Sequence, residues 1–139
     1  MNNEYEHCEG FEPIIDENSK VLILGTLPSI ESIKKFKETG KQDYYLNYSY
    51  NYFWKTMSKL FSGEREIKNE NYEFRKSLLL NNGIALWDVL KSGDRKKDSS
   101  EDKTIKNPIP NDIKTILTKY PNIKFVYTNG KGDALKYFK

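Results

Sequence analysis

Three short stretches of this 139-residue chain carry side chains suited to chemistry on a flat polar ring. Gly25-Thr26-Leu27-Pro28-Ser29 follows one apolar run, Asp88 stands near the end of a second, and Asn129-Gly130 follows a third. Between the first two, Tyr44, Tyr45, Tyr48, Tyr50 and Tyr52 gather five of the ten tyrosines. Small residues let a ligand approach the backbone, and a phenol face stacks on a planar ring. Amide and carboxylate groups then read the ring's edge through hydrogen bonds. Water activation in such a site falls to an amide or a backbone carbonyl, provided that the leaving group departs easily.

Other chemistries find little support. The loop after the first apolar run lacks Gly-x-Gly-x-x-Gly, and no Gly-x-x-x-x-Gly-Lys occurs, which argues against dinucleotide and Walker-type phosphate loops. His7 is the only histidine and lies with Cys8 in an acidic stretch, away from any clustered ligand set. A metal site is therefore poorly supported, and a Ser-His-Asp apparatus would have to recruit that same histidine.

The elements that must position these groups follow from the pattern. Val21-Leu22-Ile23-Leu24 is continuously apolar, the signature of a strand buried on both faces in a parallel sheet. Pro28 sits at a turn, and Ser29 caps a short helix running through Lys37. Residues 38–50 read as a loop. From Asn51 onward Phe53, Trp54, Met57, Leu60 and Phe61 keep helical spacing, with Gly63 as a stop. A further helix is expected over 70–81, then a buried strand Ile84–Val89. Residues 91–108 are polar and read as a long loop. Pro110-Asn111-Asp112 opens a helix, Ile123–Tyr127 forms a third strand, and a last short helix carries Leu135 and Phe138. Strands separated by helices imply right-handed crossovers and a three-layer α/β/α sandwich with a short parallel sheet. Ligands bind such sheets at the carboxyl ends of the strands, so the chemically suited stretches fall on one rim.

Length favours one folded domain, and 37% hydrophobic residues with 14% aromatics suffice for a core. No apolar run approaches a membrane span, and the single cysteine suits a reducing, cytoplasmic setting. The net charge of +3 hides an asymmetry: residues 1–19 hold six acids and no Lys or Arg. The rest of the chain, residues 20–139, holds 23 bases against 14 acids, a net of +9. The chain thus divides into an acidic N-terminal segment and a basic body that can meet a polyanion. Lysine outnumbers arginine 20 to 3, which is also how an ordinary surface stays soluble.

Gly25-Thr26-Leu27-Pro28-Ser29-Ile30-Glu31-Ser32, the Tyr44-Tyr45 pair, Asn51-Tyr52-Phe53-Trp54 and Gly83-Ile84-Ala85-Leu86-Trp87-Asp88-Val89 resemble the uracil-DNA glycosylase superfamily. The hypoxanthine (deoxyinosine) DNA glycosylase branch looks most similar. Asp102-Lys103-Thr104-Ile105-Lys106-Asn107 and Pro110-Asn111-Asp112-Ile113 fit that branch too, so the resemblance spans residues 10–135. It implies an α/β/α enzyme of base excision repair that flips a deaminated base, hypoxanthine or uracil, from DNA. The enzyme hydrolyses its N-glycosidic bond through an oxocarbenium-like sugar, without metal or cofactor. The expected partner is single- or double-stranded DNA containing a damaged base, and no membrane.

Many superfamily members carry a catalytic Asp or Asn just before the proline of the first motif. That place is Leu27 here, which cannot activate water. In the deoxyinosine branch the catalytic asparagine belongs to Asn-x-Phe-Trp, which carries over to Asn51; the same residue also suits a helix cap. Gly25, Thr26, Leu27, Pro28, Tyr45 and Asp88 are the implied substrate contacts. Tyr45 is the stacking ring, with Tyr44 and Tyr48 as alternatives, because the link to Asn51 is longer than usual and Ser49 replaces the family's proline. Asp88 accepts from a ring N–H or organises its loop; Ser29 and Ser32 bind DNA phosphate or cap their helix. Trp54 and Trp87 belong to the core. Family members continue into a fourth strand and a Pro-Ser-x-Ser-Pro wedge loop, whereas this sequence stops at Lys139. A shortened domain with an exposed sheet edge and weak or absent activity is therefore expected, and a catalytically silent nucleic-acid- or nucleobase-binding module is the alternative.

Overall fold

A computed structural model describes residues 4–44, 53–61, 72–97 and 105–129. In chain order the elements are β1 (Tyr5–Glu9), β2 (Val21–Gly25), α1 (Ile30–Thr39), α2 (Phe53–Phe61), α3 (Tyr72–Asn81), β3 (Ile84–Asp88), β4 (Leu90–Lys96), β5 (Lys106–Pro110), α4 (Ile113–Lys119) and β6 (Phe125–Thr128). The final helix expected around Leu135 lies outside the described residues.

The continuous apolar run does what its composition requires. β2 is the middle strand of a parallel sheet ordered β3-β2-β6. Val21 stands beside Ile84 and Phe125, and at the other end Gly25 stands beside Asp88. Leu22, Leu24, Ala85 and Leu86 are fully buried. β3 is entered through a tight turn in which Gly83 takes a φ of +73°, a left-handed value that suits a residue without Cβ. α1 starts at Ser29, whose side chain accepts from the Ser32 N–H, and ends at Gly40. α4 starts at Asp112, which accepts from the Thr115 N–H. On β6, Phe125 and Tyr127 are exposed, their rings stacked 6.4 Å apart.

A second sheet departs from expectation. The polar stretch read as a loop over 91–108 contains β4 and β5, which pair antiparallel with β1 in the order β1-β4-β5. Its residues do not alternate by hydrophobicity, because Ser92, Gly93 and Arg95 occupy inward positions that apolar residues usually fill. Only Val89 separates β3 from β4, so the chain passes from one sheet to the other with almost no connection.

The acidic N-terminal segment is woven into this arrangement rather than hanging from it. β1 pairs with β4 along its whole length, and Ile14 exchanges two backbone hydrogen bonds with Leu86, at 2.9 and 2.8 Å. Cys8, Phe11 and Ile14 enter the core, while Glu4, Glu9, Glu12 and Glu17 stay exposed. Spacing three apart in an irregular chain concealed these apolar positions from a period-two reading.

His7 fastens the junction from the solvent side. Its Nδ1 lies 2.9 Å from Asp94 Oδ1 across the β1–β4 pair, and its Nε2 lies 2.8 Å from Glu9 Oε1. Hydrogen bonding to Glu9, then to Asp94, raises the imidazole pKa. Asp94 is held below its usual value, first by the Asn107 amide and then by His7. A raised histidine stabilises the fold below its unfolded pKa and loses that contribution as pH rises through the folded value. A depressed aspartate contributes above its unfolded pKa and loses that contribution as pH falls through its folded value. The two together are most favourable in the mildly acidic range between those limits. Stability, followed through the thermal midpoint, should fall slightly from pH 6 to pH 8.5, by less than about 1 kcal/mol because the group is exposed. His7→Gln should flatten that slope, as read by circular dichroism melts across pH.

Candidate active site

Where β2 leaves the parallel sheet, its backbone turns toward α1 and four carbonyls in succession find donors. Gly25 O accepts from the Val89 N–H at 2.8 Å and Thr26 O from the Leu90 N–H at 3.1 Å. Leu27 O accepts from Arg95 Nη2 at 2.6 Å, and Pro28 O from Arg95 Nε at 2.8 Å. Arg95 is 2% exposed, a charge placed inside the protein by β4. The first-motif residues Gly25, Thr26, Leu27 and Pro28 are therefore buried and held along their length.

Asp88 lies beside this strand exit, 2% exposed and in register with Gly25. The turn after it is held by Asn111, whose Nδ2 donates to Asp88 O at 2.8 Å and Leu90 O at 3.1 Å, while its N–H donates to Val89 O. Asn129 reaches the same rim at the end of β6, its N–H donating to Leu24 O at 2.7 Å. The carboxyl ends of the three parallel strands thus bring together Gly25–Pro28, Asp88 and Asn129, as the sheet rule anticipated.

Ser29 and Ser32 both have partners in the protein. Ser29 Oγ accepts from the Ser32 N–H and donates to Ser32 Oγ, each at 3.2 Å; Ser32 Oγ donates to Asp43 O at 3.0 Å. Asp43 is fully buried and receives Arg75 through both guanidinium nitrogens, at 2.9 and 3.0 Å, and Lys35 Nζ at 2.8 Å. Arg75 itself is 3% exposed and lies over the Trp54 ring, 5.0 Å from its centroid. Beside it, burial pushes the Tyr72 phenol up to about 12.

Asn51, Tyr45 and Tyr48 lie outside the described residues. The chain enters that segment from Tyr44 and re-emerges at Phe53, and both ends are tied. Trp54 Nε1 donates to Tyr44 O at 2.8 Å, and the Tyr44 hydroxyl donates to Glu12 O at 2.9 Å. Tyr44 is 1% exposed with its ring edge-on to Phe11, so this alternative stacking ring is a core residue and has no free face. Trp54 and Trp87 pack with the core as expected, Trp87 donating to Phe11 O.

Sequence reading passed over Arg75, Arg95, Asp43 and the role of Asn111. One signal was available: in a chain with 20 lysines and three arginines, arginine is reserved for places where lysine does not serve. A guanidinium offers several donors in a fixed fork and is less strongly hydrated than an ammonium, so it is the cation suited to burial. Among the described residues no group of three His, Cys, Asp or Glu side chains is arranged to hold a metal ion. No helix among them is long and apolar enough to cross a membrane. A rim with one buried carboxylate, packed backbone and adjacent amides can grip a planar heterocycle by its edge.

No family model matches the chain. Hypoxanthine DNA glycosylase of Methanosarcina barkeri is 38% identical over 123 residues, which cover 88% of this chain and 71% of that protein. Hypoxanthine DNA glycosylase of Methanosarcina acetivorans is 37% identical over 122 residues, covering 88% and 70%. A solution structure of an M. acetivorans protein proposed as a uracil DNA glycosylase superposes with a TM-score of 0.75 at 32% identity, covering 96% of this chain and 75% of that one.

The buried ion pair makes a measurable demand on stability. Removing Arg75 strips two hydrogen bonds from the buried Asp43 carboxylate and leaves it to Lys35 alone, so Arg75→Ala should cost up to about 3 kcal/mol in urea denaturation. The paired replacement Arg75→Met with Asp43→Leu should recover most of that loss, since neither charge remains.

Proposed function

Because the chain belongs to the hypoxanthine DNA glycosylase family, and is thereby a DNA glycosylase of base excision repair, we propose that its rim receives a flipped hypoxanthine, with uracil as the second substrate. The observation that carries this reading is the Asp88 carboxylate, buried beside Gly25 at the carboxyl end of the parallel sheet. Deamination of adenine or cytosine converts a ring nitrogen from acceptor to N–H donor. A carboxylate accepts from that donor in hypoxanthine or uracil and faces a lone pair in the parent base, so discrimination comes from both attraction and repulsion. Flipping is also least costly for bases that pair poorly, which adds to the selection.

In this reading the base lies against Gly25, Thr26, Leu27 and Pro28 and stacks on Tyr45. Asn51 orients the attacking water through its side-chain oxygen. The bond to the base breaks as the sugar gains oxocarbenium character, and water then adds to the anomeric carbon. The glycosidic electron pair leaves with the base, which takes up a proton. Leu27 occupies a position where a water-activating carboxylate or amide stands in many members of the wider superfamily, which leaves that task to Asn51. Ser29, half-buried at the start of α1, lies where a DNA phosphate meets N–H groups and the positive end of the helix dipole, whereas Ser32 is 1% exposed and serves the cap and Asp43 instead. The basic body supplies the salt-dependent part of DNA affinity.

An oligonucleotide duplex with one hypoxanthine, treated with the protein and then with alkali, should break at that site. Asn51→Ala should lower the single-turnover rate at least about 100-fold while duplex binding persists. Wild-type excision by that variant would sink the assignment, and binding without scission by the wild type would identify a silent module instead. Asp88→Asn should reduce excision of hypoxanthine by about 10- to 100-fold and narrow its preference over adenine, by about 1–3 kcal/mol in transition-state terms.

A further inference from the structure

We infer that Arg95 is a positioning residue of the base pocket: from β4 its guanidinium grips the Leu27 and Pro28 carbonyls and so sets the wall against which the base rests. The inference builds on the proposed excision reaction and concerns a residue outside the motifs that suggested it. Three observations converge on it.

The first is the geometry of the grip. Nη2 and Nε donate to two successive carbonyls at 2.6 and 2.8 Å. Pro28 has no N–H, so its carbonyl is the only backbone group through which that residue can be hydrogen-bonded. Two donors on one rigid plane fix the two successive peptide groups relative to one another, which a single ammonium nitrogen does not. The second is how closely β4 lies on this loop. A Cβ placed on Gly93 would come 2.8 Å from Ile105 Cγ2 and 3.6 Å from Leu27 Cδ2, so Leu27 is confined by side-chain packing as well as by its carbonyl. The third is burial. At 2% exposure and with Nε and Nη2 donating to backbone carbonyls, Arg95 is engaged inside the protein and not by a DNA phosphate, the ordinary partner of arginine in a DNA enzyme. A buried charge retained at a pocket wall is better explained by specifying geometry than by adding stability.

Residues that place reacting groups act mainly on the chemical step, because misplacement by about 1 Å costs on the order of 100-fold in rate. The test uses the 139-residue protein and a duplex carrying one hypoxanthine, with Arg95→Met and Arg95→Lys. Folded Arg95→Met should lose about 100-fold in kcat with KM within about threefold of wild type, and its preference for the modified over the unmodified duplex should collapse. Arg95→Lys keeps the charge but presents its donors from a single nitrogen without the fixed fork, and should recover part of the rate. The slope of log binding constant against log salt should match wild type in both, since no phosphate contact is removed. Wild-type kcat in folded variants would overturn the inference, as would a slope lower by about one contact, which marks a phosphate-binding arginine. If Arg95→Met does not fold, the Arg95→Lys split between kcat and KM decides alone. A wild-type protein that neither excises hypoxanthine nor prefers the modified duplex overturns the excision reading and this inference with it. Active wild type alongside fully active variants overturns the inference only.

Discussion

A strand that leaves the middle of a parallel sheet carries its carbonyls out of the ladder that satisfied them, and buried carbonyls require donors. At the end of β2 this requirement falls on Gly25, Thr26, Leu27 and Pro28 in turn. The Val89 and Leu90 N–H groups meet the first two, and Arg95 meets the last two. The consequences spread outward. β3 must continue directly into β4 so that its backbone follows the exiting strand. β4 must then run far enough to bring Arg95 over Leu27 and Pro28. Once β4 is there, its own free backbone edges recruit β1 on one side and β5 on the other. The antiparallel sheet is in this sense a scaffold for the wall of the rim.

A second set of buried polar contacts governs the approach to the segment between Tyr44 and Phe53. Asp43 gathers Arg75 and Lys35 on its carboxylate and Ser32 on its carbonyl, while Trp54 reaches back to Tyr44. These contacts join α1, α2 and α3 at one point. Hydrogen-bonded ion pairs inside a protein contribute little net stability compared with well-packed apolar groups, but they tolerate few alternative arrangements. The two described arginines both serve such geometric ends. The described lysines are mostly exposed and keep the surface of the body positive. The acidic excess of the first residues likewise resolves into exposed glutamates along a segment whose apolar members Cys8, Phe11 and Ile14 enter the core.

Legibility followed the density of hydrophobic signal. Val21–Leu24 and Ile84–Leu86 announced buried parallel strands, and Ser29 and Asp112 announced helix starts, because in each case the local chemistry alone forces the outcome. β4 was illegible for the opposite reason. Gly93 and Arg95 face inward because the Leu27–Pro28 turn lies opposite them, a fact about another part of the chain. β1 was hidden beneath its glutamates, and Tyr44 offered no clue that it would be sealed against Phe11 while its neighbours continue into the tyrosine-rich segment.

The sequence by itself determined the parallel sheet, its direction and the side of it on which chemistry must occur, since continuous apolar strands and right-handed crossovers leave few alternatives. Its motifs also carried the family, through side chains that can be matched position by position. Only the tertiary structure decided how the rim is held: that a polar stretch becomes a strand, that an acidic segment becomes its partner, and that Arg95 grips the strand exit. Those outcomes depend on which groups meet across the fold, and a buried charge is tolerated only where its partners already wait.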